Sequence, residues 1–191
     1  KILCDKFEIT LVVICRSVPQ AEHRLVIEAM VAKLLVYKPS LTDVILGFIS
    51  SFVKRQPFHF ALFYSRRAKR FINFKELNVD IVFGSVCRSW VYLDNIKNQN
   101  VYFDLADSVA MTYATNAKIV RNFFMKAIYL TESLLLRKVE RKIIKYSKQS
   151  FLFNQVEVKS LQAYGNVRVV PHGVHDFLLK FSPLHIKSSN Y

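Results

Sequence analysis

Residues 100–176 constrain the fold of this chain most. Short apolar runs at 101–105, 150–154 and 167–170 alternate with long amphipathic stretches at 118–148 and 155–164. Strands separated by helical segments cannot close as hairpins. They return by crossovers, which makes a mainly parallel sheet with right-handed connections. The stretch closes on Val169-Val170-Pro171-His172-Gly173-Val174-His175-Asp176, an apolar strand running into a tight turn. Ligands of open α/β sheets bind at the carboxyl ends of strands. An α/β domain ending this way has the form of one half of a two-domain enzyme.

The earlier part of the chain continues the pattern. Residues 7–15 (FEITLVVIC) form a β-branched apolar run that fits a buried parallel strand. Pro19 opens a helix that reaches about Met30, and 32–37 is a second short strand. Ser40 is a helix cap for the apolar period over 41–52. Residues 58–64 are aromatic and fit neither template, 65–77 read as helix and 79–86 as strand. The stretch 118–148 contains no glycine or proline and reads as one long helix. The expected fold is α/β and Rossmann-like: doubly wound, mainly parallel, with helices on both faces. Residues 1–176 would make the domain, and 177–191 a tail or interdomain linker.

Composition narrows the function classes. The chain has 191 residues, enough for one domain, and 52% hydrophobic residues supply a large core. It has 4 glycines, all isolated, which excludes a glycine-rich phosphate loop. The net charge of +14 calls for an anionic partner (nucleic acid, anionic lipid or a phosphorylated substrate) or else marks a solvated basic surface. Cys4, Cys15 and Cys87 have no metal spacing and read as reduced, buried thiols of a cytosolic protein. No run approaches the ~20 apolar residues of a membrane span.

Candidate chemistry concentrates at strand ends. Phe103-Asp104-Leu105-Ala106-Asp107-Ser108 puts two carboxylates at the carboxyl end of a strand, where a catalytic base or a sugar-hydroxyl acceptor sits. Asp107 fits either that role or a helix cap, and Asp104, in strand register, fits a structural role. Ser85 and Arg88 end another strand and face the same cleft. His172 and His175 lack a third ligand, so no metal is expected. The turn at His172-Gly173 would instead bring His172 toward the cleft. Arg66, Arg67, Lys69 and Arg70, with Lys118 and Arg121 at the head of the long basic segment, suit an anionic membrane surface. Glu132 and Glu140 stand in that basic field and are expected to pair with neighbouring Arg or Lys. Mixed basic and aromatic residues over 58–74 leave a minor nucleic-acid reading.

Taken in order, Asp104-Leu105-Ala106-Asp107-Ser108, Tyr113, Tyr129-Leu130-Thr131-Glu132, Glu140-Arg141, Phe151-Leu152-Phe153-Asn154-Gln155-Val156-Glu157 and Pro171-His172-Gly173-Val174 resemble the N-terminal domain of retaining GT-B glycosyltransferases. The likeness is to sugar transferases of exosortase-type exopolysaccharide systems, whose motifs read D-x-x-D-S, E-R, V-S-E-x-E and N-G-V-D. It covers the second half of the chain by motif and the first half by topology. His172 stands where Asn is usual, and Asn154-Gln155 where Ser-Glu is usual. The family's first strand and glycine-containing loop would precede Lys1, and its donor domain would follow Tyr191.

The resemblance implies part of an enzyme that moves a sugar from a nucleotide-sugar donor to a lipid-linked or saccharide acceptor, with no cofactor. It implies Asp107 as the catalytic group. Ser85, Arg88, Asp104, Ser108, Tyr113, His172 and Gly173 would bind substrate. The protein would be cytoplasmic and peripheral at the inner face of a membrane. The readings that compete are a non-enzymatic basic α/β module binding nucleic acid or anionic lipid, and a doubly wound domain that has lost function.

Overall fold

The computed structural model describes residues 6–17, 20–72, 79–94 and 100–171. The architecture is α/β with parallel strands and helices around them, in two sheets. The smaller sheet pairs β1 (Thr10–Ile14) with β2 (Lys33–Tyr37) across α1 (Ala21–Glu28). Three helical elements follow: α2 (Leu41–Lys54), a 3-10 turn (Phe58–Phe63) and α3 (Arg66–Phe71). The larger sheet runs in sequential order: β3 (Ile81–Ser85), β4 (Asn100–Ala106), β5 (Gln149–Leu152) and β6 (Val167–Val169). Helix α4 (Trp90–Leu93) connects β3 to β4. The helices α5 (Val109–Ile119) and α6 (Phe123–Tyr146) connect β4 to β5, and α7 (Gln155–Leu161) connects β5 to β6.

Sequential order has a consequence for packing. Right-handed crossovers that all step the same way put their helices on one face of the sheet. The pleat shows it. Val82, Gly84, Val101, Phe103, Ser150 and Leu152 are buried on the covered face, with Leu136, Val139, Ile143 and Ile144 of α6 in the same core. Ile81 and Phe83 point the other way and remain 46% and 60% exposed. Among the described residues the helical cover of that second face is incomplete at β3. Gly84 is needed on the covered face because a Cβ there would run into the Phe103 ring beside it.

Local chemistry sets the element ends. Ser40 and Asp43 form a reciprocal capping box on α2. The side chains of Ser65, Ser108, Asn122 and Asn154 cap α3, α5, α6 and α7. The sequence predicts one helix over 118–148, but the chain turns through an extended Val120 and Asn122 and makes two. The reason is tertiary. Ala110 and Ala117 of α5 are buried as the two helices pack on each other, and the Asn122 carboxamide accepts the Met125 N–H to start α6. Cys87 is buried and free, its thiol pushed up to about 12 mainly by burial. Cys15 is half-buried and free.

Candidate functional site

The carboxyl ends of β3 and β4 lie side by side. Ser85 is the register partner of Asp104, so both reach one rim of the sheet. The backbone there is unusual. Val86 has φ 56 and Ala106 has φ 61, conformations that β-branched residues in particular avoid. Such strain costs about 1–3 kcal/mol per residue and clusters at functional sites. It is held here by hydrogen bonds. The Val86 N–H donates to the Asp104 carbonyl at 2.7 Å, and the Val86 carbonyl accepts from Ser89 Oγ at 2.9 Å. The Asp104 carboxylate accepts the Ala106 N–H at 2.9 Å, an Asx-type turn that re-aims the chain. Asp104 therefore has a structural bond while remaining half-buried. Asp107, one residue past the bend, is exposed on the rim. Arg88 is exposed too, its guanidinium 4.2 Å from the Phe63 ring centre.

Directly behind the rim is a buried carboxylate cluster. The Ser108 hydroxyl donates to Glu140 at 2.9 Å, and the Ala110 N–H donates to the other oxygen of that carboxylate at 3.0 Å. The Ser108 N–H donates to Glu157 at 3.0 Å. Glu140 is fully buried and Ser108, expected to bind substrate, is 1% exposed. The Ser108 hydroxyl and N–H tie α5 to α6 and α7, and Ser108 and Glu140 both line the cavity beside them. Burial raises the Glu140 carboxyl above its ordinary value, and nearby Glu157 adds to that. Burial also raises Glu157, with the Asp107 charge contributing. The expected pairing of Glu140 with an Arg or Lys is corrected: a side chain this deep in the core is served by neutral donors. A cavity of about 520 Å³, including its open mouth, lies beside the cluster, with Arg137, Arg141, Ser160 and Tyr164 in its wall. The Arg141 guanidinium sits 4.6 Å from the Tyr164 ring centre.

Glu132 is likewise turned inward. It accepts the Phe58 N–H at 2.6 Å and faces His59 Nδ1 at 3.1 Å, so it anchors the 3-10 turn to α6 and has no cationic neighbour of the Lys or Arg kind in those bonds. His59 stacks on Tyr113 at 5.6 Å, and Tyr113 meets Tyr129 edge-on at 5.5 Å. Burial raises the Tyr113 phenol, with Glu132 contributing.

The predicted membrane-facing cations separate into two groups. Arg67, Arg70, Lys118 and Arg121 are exposed. Arg66 is held at 2.9 Å by the Asp43 carboxylate, which lowers the Asp43 carboxyl even against its burial. Lys69 is not a free surface cation. Its ammonium donates to the Val91 carbonyl at 2.9 Å and lies 3.6 Å from Asp94. Desolvation lowers its pKa.

His172 and Gly173 lie outside the described residues. The described chain continues the parallel register of β5 and β6 to Val170, whose N–H donates to the Leu152 carbonyl. Among the described residues no group of three or more metal-binding side chains comes together, and no helix is long and apolar enough to cross a membrane. Sequence reasoning missed Glu157 and the Ser108 junction. The available signal was the placement of Glu157 beside Val158 and one turn before Leu161, on the inward face of a short helix. Set against protein families, curated proteins and solved structures, the chain matches none of them.

Proposed function

We propose that this chain is the acceptor half of a retaining GT-B glycosyltransferase, acting on a lipid-linked or saccharide acceptor in surface-polysaccharide synthesis. One observation carries the reading: Ser85 and Asp104 are register partners, with exposed Asp107 just beyond them on a strained rim. A rim of small polar and acidic groups suits sugar hydroxyls, which donate to carboxylates and accept from hydroxyls. In this reading Asp107 receives the hydrogen bond of the reacting acceptor hydroxyl. Ser85 and Arg88 hold the neighbouring hydroxyls, and Tyr113 lines the approach. His172 and Gly173, outside the described residues, are the remaining substrate-binding residues of this reading. The donor nucleotide-sugar would be bound by a domain outside these 191 residues, and no cofactor takes part. The protein would be cytoplasmic and peripheral, with Arg67, Arg70, Lys118 and Arg121 toward an anionic membrane.

Saturation-transfer NMR of the purified chain with oligosaccharides and a polyprenyl-phosphate sugar in detergent tests this. The expected result is contact to saccharide protons that Asp107→Asn abolishes with the circular dichroism unchanged, and no sugar transfer from any nucleotide-sugar. Saccharides that fail to bind, while single-stranded RNA binds with steep salt dependence, would replace the reading with that of a nucleic-acid module.

A further inference from the structure

Helix α2 is inside out. Its period places Asp43, Gly47 and Ser51 on one stripe, and that polar and small stripe is the buried one. Leu41, Ile45, Phe48, Ile49, Phe52 and Val53 fill the opposite stripe, and all six are exposed, Phe52 and Val53 at 74% each. A helix on a globular core normally does the reverse. The close approach is enabled by Gly47, where a Cβ would lie 2.9 Å from Ala61 Cα and from Tyr64 Cβ of the adjoining 3-10 segment. The orientation is also locked. Asp43 holds the N–H of Ser40 through the capping box and the side chain of Arg66 of α3. Rotating the apolar stripe inward would strip Asp43 of both. The outward stripe is therefore a built surface, about 21 Å long at 1.5 Å per residue.

The charge around the stripe selects its occupant. The only carboxylate of α2 is Asp43, which is buried and paired. Lys38 precedes the helix and Arg55 ends it, both exposed; Lys54 lies 3.5 Å from the Asp94 carboxylate, and Arg67 and Arg70 of α3 are exposed further along the chain. A second copy would bring the same basic rim and another +14 charge against it. An apolar stripe with an exposed cation at each end, on a chain of net charge +14, matches the interface of an anionic bilayer, where acyl chains meet negative headgroups. We propose that α2 lies in the plane of an anionic bilayer with its stripe inserted and its flanking cations on the headgroups. This rests on the membrane-facing part of the reading above and is independent of sugar transfer.

The test uses the purified chain with vesicles of phosphatidylcholine, with and without phosphatidylglycerol. Phe52→Trp supplies a depth probe over the constant background of buried Trp90. Its emission should shift to the blue with anionic vesicles only. The double variant Phe52→Ser, Val53→Ser, altered at two exposed positions, should keep the wild-type circular dichroism. It should lose about tenfold or more in vesicle affinity, as removal of inserted apolar area requires. Arg67→Glu with Arg70→Glu should weaken binding and its salt dependence. Equal vesicle binding by wild type and the serine variant, with no Trp shift, would overturn insertion by α2 and leave a purely electrostatic membrane contact. Absence of wild-type binding to either vesicle type would overturn both. Concentration-dependent self-association abolished by the serine variant, without vesicle binding, would assign the stripe to a second copy and overturn the bilayer.

Discussion

The Ser108 hydroxyl donates to the fully buried Glu140 carboxylate at 2.9 Å, across 32 residues of sequence. With Ala110 and Glu157 this bond ties the start of α5 to α6 and α7 directly behind the rim. The bend that carries Asp107 is thereby fixed from inside the core.

Glu140→Ala should destabilise the protein by about 3 kcal/mol, because it leaves a cavity and strands the Ser108 hydroxyl and the Ala110 N–H. Glu140→Gln, which keeps the volume and one acceptor, should cost roughly half as much. Urea denaturation followed by circular dichroism measures both. An alanine variant within 0.5 kcal/mol of wild type, inside the ~0.5 kcal/mol typical of surface positions, would show that the cluster does not organise the core.

The same cluster gives a pH dependence of known sign. The folded-state pKa values of Glu140 and Glu157 are raised above the ordinary 4.5. Each contribution is fully present below that unfolded value and is lost as pH rises through the folded one. Asp43 works oppositely. Its folded value is lowered below 3.8, so its contribution is present above that and is lost as pH falls through the folded value. Stability should therefore decline as pH rises above the ordinary 4.5 of these carboxyls, and Glu140→Gln should flatten the decline. Denaturation midpoints at three pH values decide it; a midpoint that rises over this range in wild type would contradict the assignment.

Gly47→Ala should destabilise despite its better helix propensity. Alanine gains about 1 kcal/mol in a helix interior over glycine. The new methyl group, however, meets the Ala61 backbone at 2.9 Å, and overpacking against atoms that cannot move costs about 1–3 kcal/mol. The expected net loss is about 1 kcal/mol, with α2 displaced from the 3-10 segment. A thermal midpoint above wild type would mean that the segment yields.

Much of the fold was legible in the sequence. The apolar runs at 10–14, 33–37, 81–85 and 100–106 are strands because β-branched and aromatic residues there are bounded by breaks in the pattern. Ser40 announces α2 through its own hydroxyl. These are local effects, settled within a few residues. Asp104, Asp107 and Ser85 could be placed on one rim because parallel strands with crossovers leave no other arrangement for their ends.

Tertiary structure decided the rest. A glycine-free stretch over 118–148 contains no break, yet α5 and α6 separate at Val120 to Asn122 because two helices packed on each other bury more apolar surface than one projecting rod. Glu132 and Glu140 look like members of a solvated basic field, but a helix period says only which residues share a face, not which face turns inward. Contacts with residues 32 and 74 positions away turned them into the core. In α2 the same ambiguity went against hydrophobicity. The apolar stripe was plain in the sequence. Its outward direction came from Gly47 seated on Ala61 and from Asp43 bound to Arg66, two contacts that exist only once the chain has folded.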